Sequence, residues 1–241
     1  MEESKMNQLK IISGSLLKTI ALLTMLLDHT TAVLLKHYQF FITPLFNLLG
    51  TEITPYYLLR GIGRIAFPVY CFLLTEGYTH TRCKEKYATR LLCFAVISEI
   101  PWNLEHSGSV FYSGQNVFFT LFLGLCAIYI YDQFKKDRTK QIFSLIAVFC
   151  IALVLKADYG VMGVGFVLFL YIMRDNKLLQ SLIGCCFFST PAFVAPAFVL
   201  INMYNGKRGY IKGRILQYAF YIIYPLHMII LYLLKLYLIG Y

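Results

Sequence analysis

Charged residues are scarce in this chain: of 241 residues, 14% are charged and 59% are hydrophobic. A soluble domain carries about 25% charged residues, and a core of this size could not bury so much apolar surface. Neither a CxxC pair nor a Cys/His cluster occurs among the seven cysteines, so we predict no metal site and no disulfide framework. The absence of an internal repeat argues against the repeat-built secondary transporters.

Apolar runs fill the chain instead, and they predict an all-α, polytopic integral-membrane helix bundle of about nine transmembrane helices. Eight or ten helices are close alternatives, and residues 1–241 are expected to form a single transmembrane domain without a cleaved signal segment. The stretch 38–50 is too short to span and is predicted to be an outer interfacial or re-entrant piece. The predicted spans are 16–35, 58–77, 88–104, 117–131, 141–155, 160–173, 178–190, 192–204 and 215–234.

The net charge is +10, which in a soluble protein would suggest a nucleic-acid partner. Here the basic residues cluster in alternate short loops between the apolar runs, as the positive-inside rule describes. This alternation predicts a multi-pass protein of the cytoplasmic (inner) membrane with a cytoplasmic N-terminus. The expected partner of the protein is then the membrane lipid bilayer, and no nucleic-acid partner is predicted.

Asp28 and His29 lie side by side inside the first apolar run, where a charged residue costs roughly 2.5–3.5 kcal/mol on insertion scales. Imidazole exchanges protons near neutral pH, so His29 is either a general base or a histidine hydrogen-bonded between helices. Lys18 precedes His29 by eleven positions, which places both on one helix face, roughly 16 Å apart along the axis. That face suits a long ligand with a phosphate at one end, or a snorkelling lysine and a packed histidine.

Other polar residues of the apolar runs are concentrated in the first third of the chain. Arg60 and Arg64 lie one helical turn apart and either clamp an anionic group or form salt bridges, with Asp28 or Glu99 as candidate partners for Arg64. Glu99 stands beside Pro101, which frees a backbone carbonyl. It is therefore either a cavity residue or a buried ion-pair partner.

Asn116, His227 and the segment 203–209 each have two possible interpretations, and one residue pair is predicted to be solvated. Asn116 opens the fourth run and is either a helix N-cap or a ligand of the substrate. His227 follows Pro225 in the last run and is either packed or part of a site. Glu76 and His80 are predicted to form a solvated pair one turn apart. The segment 203–209, MYNGKRG, is either an ordinary basic loop or a phosphate site.

Seven motifs together resemble the TraX family, named for a conjugal-transfer protein associated with N-terminal acetylation of F-type pilin. They occur in the family's order over nearly the full length, and they are LKTIALLTMLLDHTT, RGIGRIAFPVYCFLLTEGYTHT, RLLCFAVISEIPWNL, NVFFTLFLG, DYGVMGV, YNGKRG and FYIIYPLH. The family is similar to a larger superfamily of membrane acyltransferases, in which a basic residue and a histidine eleven positions on mark the first span. Lys18 and His29 match that spacing, with Lys in place of the more usual Arg.

The resemblance implies transfer of an acetyl or other acyl group from cytoplasmic acyl-CoA, the co-substrate, to an amine or hydroxyl acceptor at the outer face. The acceptor would be a pilin, a glycan or a lipid. The expected catalytic residues are His29, Asp28, Glu99 and Arg64. The expected acyl-CoA ligands are Lys18, Lys207, Arg208 and Asn205, and the expected acceptor ligands are Arg60, Asn116 and His227. A proton-coupled transporter and a non-catalytic scaffold of a conjugation or envelope system are the alternatives.

Overall fold

The structure is a computed structural model that describes residues 10–48 and 50–240, apart from the side chain of residue 214. This part of the chain is mostly helical, as predicted, and it separates into two compact units. The first unit combines the described residues up to Tyr70 with those from Thr190 onward, and the second comprises Cys71–Ser189.

The first unit is organised around its N-terminal helix, α1 (Gly14–Val33), which packs against α3 (Pro55–Gly63) and α12 (Arg214–Ile239). The helix α11 (Pro191–Asn202) also contacts α3. Between α1 and α3 lie a short helix and a two-stranded antiparallel hairpin with largely exposed side chains, in the stretch predicted to be interfacial. Gly50 in the hairpin turn has a φ of 82°, which glycine adopts without strain. The elements are α1 (Gly14–Val33), a 3-10 turn (Leu35–His37), α2 (Gln39–Ile42), β1 (Phe46–Leu48), β2 (Thr51–Ile53), α3 (Pro55–Gly63), the start of α4 (Ala66–His80), α11 (Pro191–Asn202) and α12 (Arg214–Ile239).

The second unit is built on α7 (Val117–Gln133), which packs against α5 (Lys84–Ile97), α8 (Arg138–Val154) and α9 (Gly160–Ile172). The two helices α7 and α9 approach closely at Gly124, where an added Cβ would lie 2.8 Å from the Cβ of Val167. Glycine at this position therefore sets the distance between the two helices. The elements are the remainder of α4, α5 (Lys84–Ile97), α6 (Glu99–Ser107), α7 (Val117–Gln133), α8 (Arg138–Val154), α9 (Gly160–Ile172) and α10 (Lys177–Cys186).

Two predicted spans are interrupted in the structure. Span 58–77 is divided between α3 and α4 by a turn at residues 64–65, directly after the flexible glycines Gly61 and Gly63. Span 88–104 is divided at Ser98, because Pro101 has no N–H to donate to the carbonyl of residue 97. The backbone carbonyl that Pro101 frees thus coincides with the break between α5 and α6.

Within the described residues, three helical stretches are long and apolar enough to cross a membrane: Gly14–His37, Pro55–His80 and Ile215–Ile239. Four shorter helices, α7, α9, α10 and α11, are also apolar. Every predicted span overlaps helix, although span 178–190 extends beyond the end of α10 at Cys186, and the count of nine membrane crossings stays a prediction.

Candidate functional site

Two histidines from opposite ends of the chain meet in the first unit. His29 of α1 and His227 of α12 stack with ring centroids 4.9 Å apart and planes inclined by 12°. The Nδ1 atom of His29 lies 2.6 Å from the Nε2 atom of His227, a hydrogen-bond distance. His227 is only 7% exposed, so this bond is shielded from water on the His227 side.

With both imidazoles neutral, the hydrogen-bond partners assign their tautomers. The Nδ1 atom of His227 lies 2.9 Å from the carbonyl oxygen of Ile223. A carbonyl only accepts, so Nδ1 of His227 must carry a proton, and Nε2 of the neutral ring is then an acceptor. His29 therefore donates from Nδ1, and its own Nε2 carries the lone pair. The pair orients one imidazole as a base with a defined basic atom.

Tyr224 completes the aromatic packing around the histidines. It is 3% exposed and lies one helical turn before His227. Its ring meets His29 edge-on with centroids 6.2 Å apart and His227 edge-on at 5.5 Å. Edge-to-face contacts of this kind hold rings in defined orientations. Tyr224 therefore restricts both imidazoles from one side.

Asp28 forms an ion pair with Arg60, not with its neighbour His29. The Nη1 atom of Arg60 lies 2.7 Å from Oδ2 of Asp28 and 3.3 Å from its backbone carbonyl oxygen. A Cβ at Gly63 would overlap the Asp28 carboxyl group, so glycine is required for this close approach of α3 to α1. Arg64, a predicted partner of Asp28, directly follows α3 and is exposed. The arginine that forms the ion pair with Asp28 is Arg60.

The basic loop 203–211 is bonded to the first turn of α1. Gly14 N–H donates to the carbonyl of Lys207 and Ser15 N–H to the carbonyl of Arg208, both at 2.8 Å. The hydroxyl of Ser15 also donates to the Arg208 carbonyl, at 2.6 Å. Gly209 has a φ of 86° and passes so close to α1 that a Cβ would meet Ser13. The backbone of Lys207 and Arg208 is therefore held against the first turn of α1, just before Lys18.

Lys18 lies three residues after Ser15, one turn further along α1. Its Nζ atom is 5.5 Å from the centroid of the Phe220 ring of α12, within cation–π range. Asn205 accepts a hydrogen bond at Oδ1 from the backbone N–H of Lys207, at 2.9 Å. Asn205 thus shapes the loop turn, and the cationic side chains of this region come from Lys18, Lys207 and Arg208.

Glu99 and Asn116 belong to the second unit, where they bind each other. Asn116 Nδ2 donates to Glu99 Oε2 at 2.7 Å and to the carbonyl of Ala95 at 2.8 Å. Its Oδ1 accepts from the backbone N–H of Phe118 at 3.1 Å, which confirms that Asn116 is the N-cap of α7. The described partner of Glu99 is thus an amide and not an arginine.

The partnership between His29 and His227 is what reasoning from the sequence missed. The two residues are separated by 198 positions, and no local periodicity links them. Their shared signal was only that each is a histidine inside an apolar run. Tyr224 and Ser15 gave no signal, because Tyr is abundant in this chain and Ser15 stands at an ordinary helix start.

The sequence of this chain is similar to those of known proteins. A probable fimbrial assembly protein, FimC of serogroup H1, from Dichelobacter nodosus is 30% identical over 89% of this chain and 92% of its own length. An uncharacterized protein, RP591, of Rickettsia prowazekii (strain Madrid E) is 27% identical over 71% of this chain and 59% of its own length. No solved structure matches the chain.

The family model described as TraX protein matches residues 13–235. That range covers α1 through most of α12 and includes both histidines, the Asp28–Arg60 pair and the basic loop. Together with the apolar helices, the match identifies a membrane protein. The chain belongs to the TraX family.

Proposed function

We propose that this protein is an integral-membrane acyltransferase, with acetyl-CoA or another acyl-CoA as donor and His29 as the general base. The acceptor is an amine or hydroxyl group at the outer face of the cytoplasmic membrane. The observation that carries the proposal is the hydrogen-bonded chain from His29 through His227 to the carbonyl of Ile223, which leaves Nε2 of His29 basic. The name of the fimbrial relative supports a pilin or another surface component as the acceptor.

In the proposed reaction His29 acts through the lone pair on its Nε2 atom. The acceptor nitrogen or oxygen attacks the thioester carbonyl carbon while Nε2 of His29 removes the acceptor's proton. The new C–N or C–O bond forms, the C–S bond breaks, and the leaving CoA thiolate takes the proton back from His29. The imidazolium formed in between is stabilised by its Nδ1–H bond to His227. General-base assistance of this kind contributes about 10²–10⁴-fold.

Acyl-CoA binding is proposed along α1. The CoA phosphates would lie against Lys18, Lys207 and Arg208, whose segments are joined by the bonds of the 203–211 loop to the start of α1. The pantetheine arm would then extend along the face that Lys18 shares with His29, over roughly 16 Å. Lys18 supplies a point charge without the planar fork of an arginine. Asn205 contributes by shaping the loop and not as a phosphate ligand.

The remaining candidates receive different roles. The Asp28–Arg60 ion pair positions α1 against α3, and Arg64, exposed beyond α3, is proposed to stabilise the developing oxyanion. His227 is a positioning residue and not an acceptor ligand. Glu99 and Asn116 form a cap and hydrogen-bond pair inside the second unit, which supports a structural role for Asn116.

Substitution of His29 by alanine tests the proposal. Inner-membrane vesicles containing the His29→Ala protein are supplied with radiolabelled acetyl-CoA, and label transferred to envelope material is measured. We expect a loss of about 10²–10⁴-fold with unchanged protein level, because the general base is removed. His80→Ala is the matched control, because the His80 side chain is 73% exposed and its Nε2 lies 3.5 Å from Oε2 of Glu76, the pairing one turn apart that the sequence predicts.

Full transfer by a well-folded His29→Ala protein would contradict the base assignment. A second assay separates the alternatives: uptake of solute into proteoliposomes, driven by a pH gradient without acyl-CoA, would favour a transporter. Mass spectrometry of envelope proteins, glycans and lipids with and without the gene identifies the acceptor. Unchanged phenotypes in both the Asp28→Asn and His29→Ala strains would favour a scaffold.

A further inference from the structure

Four buried polar atoms stand together on one short stretch of the second unit. Among the described residues, no hydrogen-bond partner reaches Ser98 Oγ, Glu99 Oε1, Trp102 Nε1 or Asn103 Oδ1. The side chains of Ser98, Trp102 and Asn103 belong to residues that are 0%, 5% and 4% exposed. Folded proteins hold only a few such atoms per hundred residues, so four within six consecutive residues point to a partner that binds here.

The four atoms share one side of α6. Ser98 and Trp102 are one turn apart, as are Glu99 and Asn103, and together they span an arc of about 140°. The Ser98 hydroxyl and the Trp102 indole N–H are donors, whereas the Glu99 carboxylate and the Asn103 carbonyl are acceptors. A row of two donors therefore lies beside a row of two acceptors on the same side of the helix.

The segment 108–115, called the lid below, packs against the Asn103 and His106 end of α6. Asn103 Nδ2 donates to the carbonyl of Val110 at 2.8 Å, and the His106 ring is 5.9 Å from the Tyr112 ring. The segment begins at Gly108, whose φ is 68°, and its residues up to Ser113 are exposed. Displacing the lid breaks the bond from Asn103 and uncovers the end of α6 that carries this residue.

The mixture of donors and acceptors selects the class of ligand. An ammonium group only donates, so it would leave Trp102 Nε1 unpaired, and a carboxylate only accepts, so it would leave the Glu99 and Asn103 oxygens unpaired. A hydroxyl group donates and accepts at once, and neighbouring hydroxyls satisfy all four atoms. The Trp102 ring, inclined by 32° to the His106 ring with centroids 3.5 Å apart, places beside these polar atoms an aromatic side chain of the kind that packs with the C–H groups of a sugar.

We propose that α6 and its lid form a binding site for the vicinal hydroxyl groups of a carbohydrate. The proposal goes beyond acyl transfer, because it depends only on groups of the second unit and holds whatever reaction His29 performs. Loss of sugar binding and loss of acyl transfer are therefore separable outcomes.

The chain contains a single tryptophan, and it is Trp102. Its fluorescence reports on this site alone, in the full-length protein purified in a detergent without a sugar headgroup. The probes are N-acetylglucosamine, N-acetylgalactosamine, galactose, glucose and rhamnose, with ethylammonium and acetate as the competing classes. We expect a saturable emission change with at least one sugar and none with ethylammonium or acetate. If none of the five sugars changes the emission, which is the result expected if ordered water alone pairs with these atoms, the proposal is overturned. An emission change with ethylammonium only also overturns it.

Two substitutions locate the binding by calorimetry with the responding sugar. Trp102→Phe removes the indole N–H and keeps the ring, and Asn103→Ala removes the acceptor. We expect each substitution to weaken sugar binding at least tenfold. Acyl transfer that depends on His29 is measured separately in membrane vesicles. Gln133→Ala, at the far end of α7 from Asn116, is the control and binds as the native protein does. If Asn103→Ala fails to fold, Trp102→Phe decides, and native affinity in the folded Trp102→Phe protein overturns the proposal.

Discussion

Replacing His227 by phenylalanine isolates the role of its Nε2 atom. Phenylalanine keeps an aromatic ring against His29 and Tyr224 but offers no acceptor to Nδ1 of His29, which lies 2.6 Å from Nε2 of His227. In the proposed reaction His29 becomes positively charged, so the lost bond would be charge-assisted and worth about 1.5–3 kcal/mol. At 1.36 kcal/mol per tenfold change, kcat/KM is expected to fall about 10- to 150-fold.

The assay is label transfer from acetyl-CoA in membrane vesicles, read at several acetyl-CoA concentrations to separate kcat from KM. Because His227 stabilises the charged imidazole and does not hold acyl-CoA, the loss should fall on kcat. His227→Gln places a carbonyl oxygen near the lost Nε2 and should recover much of the activity. Native kcat in a folded His227→Phe protein, or no difference between the Phe and Gln variants, would refute the reasoning from the tautomers.

Three further predictions concern stability, measured by thermal or denaturant unfolding of the purified protein. Arg60→Leu leaves the Asp28 carboxylate without its 2.7 Å partner and should cost about 1–3 kcal/mol, whereas combining it with Asp28→Asn should cost less; equal costs would argue against the ion pair. Gly63→Ala forces a methyl group against Asp28 and should cost about 1–3 kcal/mol, whereas Gly165→Ala, whose Cβ would meet nothing closer than 3.9 Å, should be neutral or stabilising. Asn116→Ala removes a helix cap worth about 0.5–2 kcal/mol and also its bond to Glu99, so a loss below 0.5 kcal/mol would contradict the described network.

The candidate site was predicted residue by residue with unequal success. His29 and His227 were both selected, because histidine inside an apolar run is uncommon enough to stand out. Their contact was not predictable, because a helix periodicity relates only residues within one element. Arg60 and Arg64 were equivalent by spacing, and only the packing of α3 on α1 assigned the Asp28 ion pair to Arg60.

Asn116 shows the opposite case. Its position before an apolar run and the preference of asparagine for helix starts made an N-cap predictable. The hydrogen bond from its Nδ2 to Glu99 was not, since it joins α7 to the start of α6 across 17 positions.

The order of the amino acids by itself determined the helices, their membrane character, the break at Pro101 and the family, because hydropathy, proline geometry and motif order act over short stretches of chain. The tertiary structure alone decided which buried polar groups meet. A charge or imidazole inside an apolar segment must find a partner, but which helix supplies that partner depends on packing. The bonds from His29 to His227 and from Asp28 to Arg60 were settled at that level.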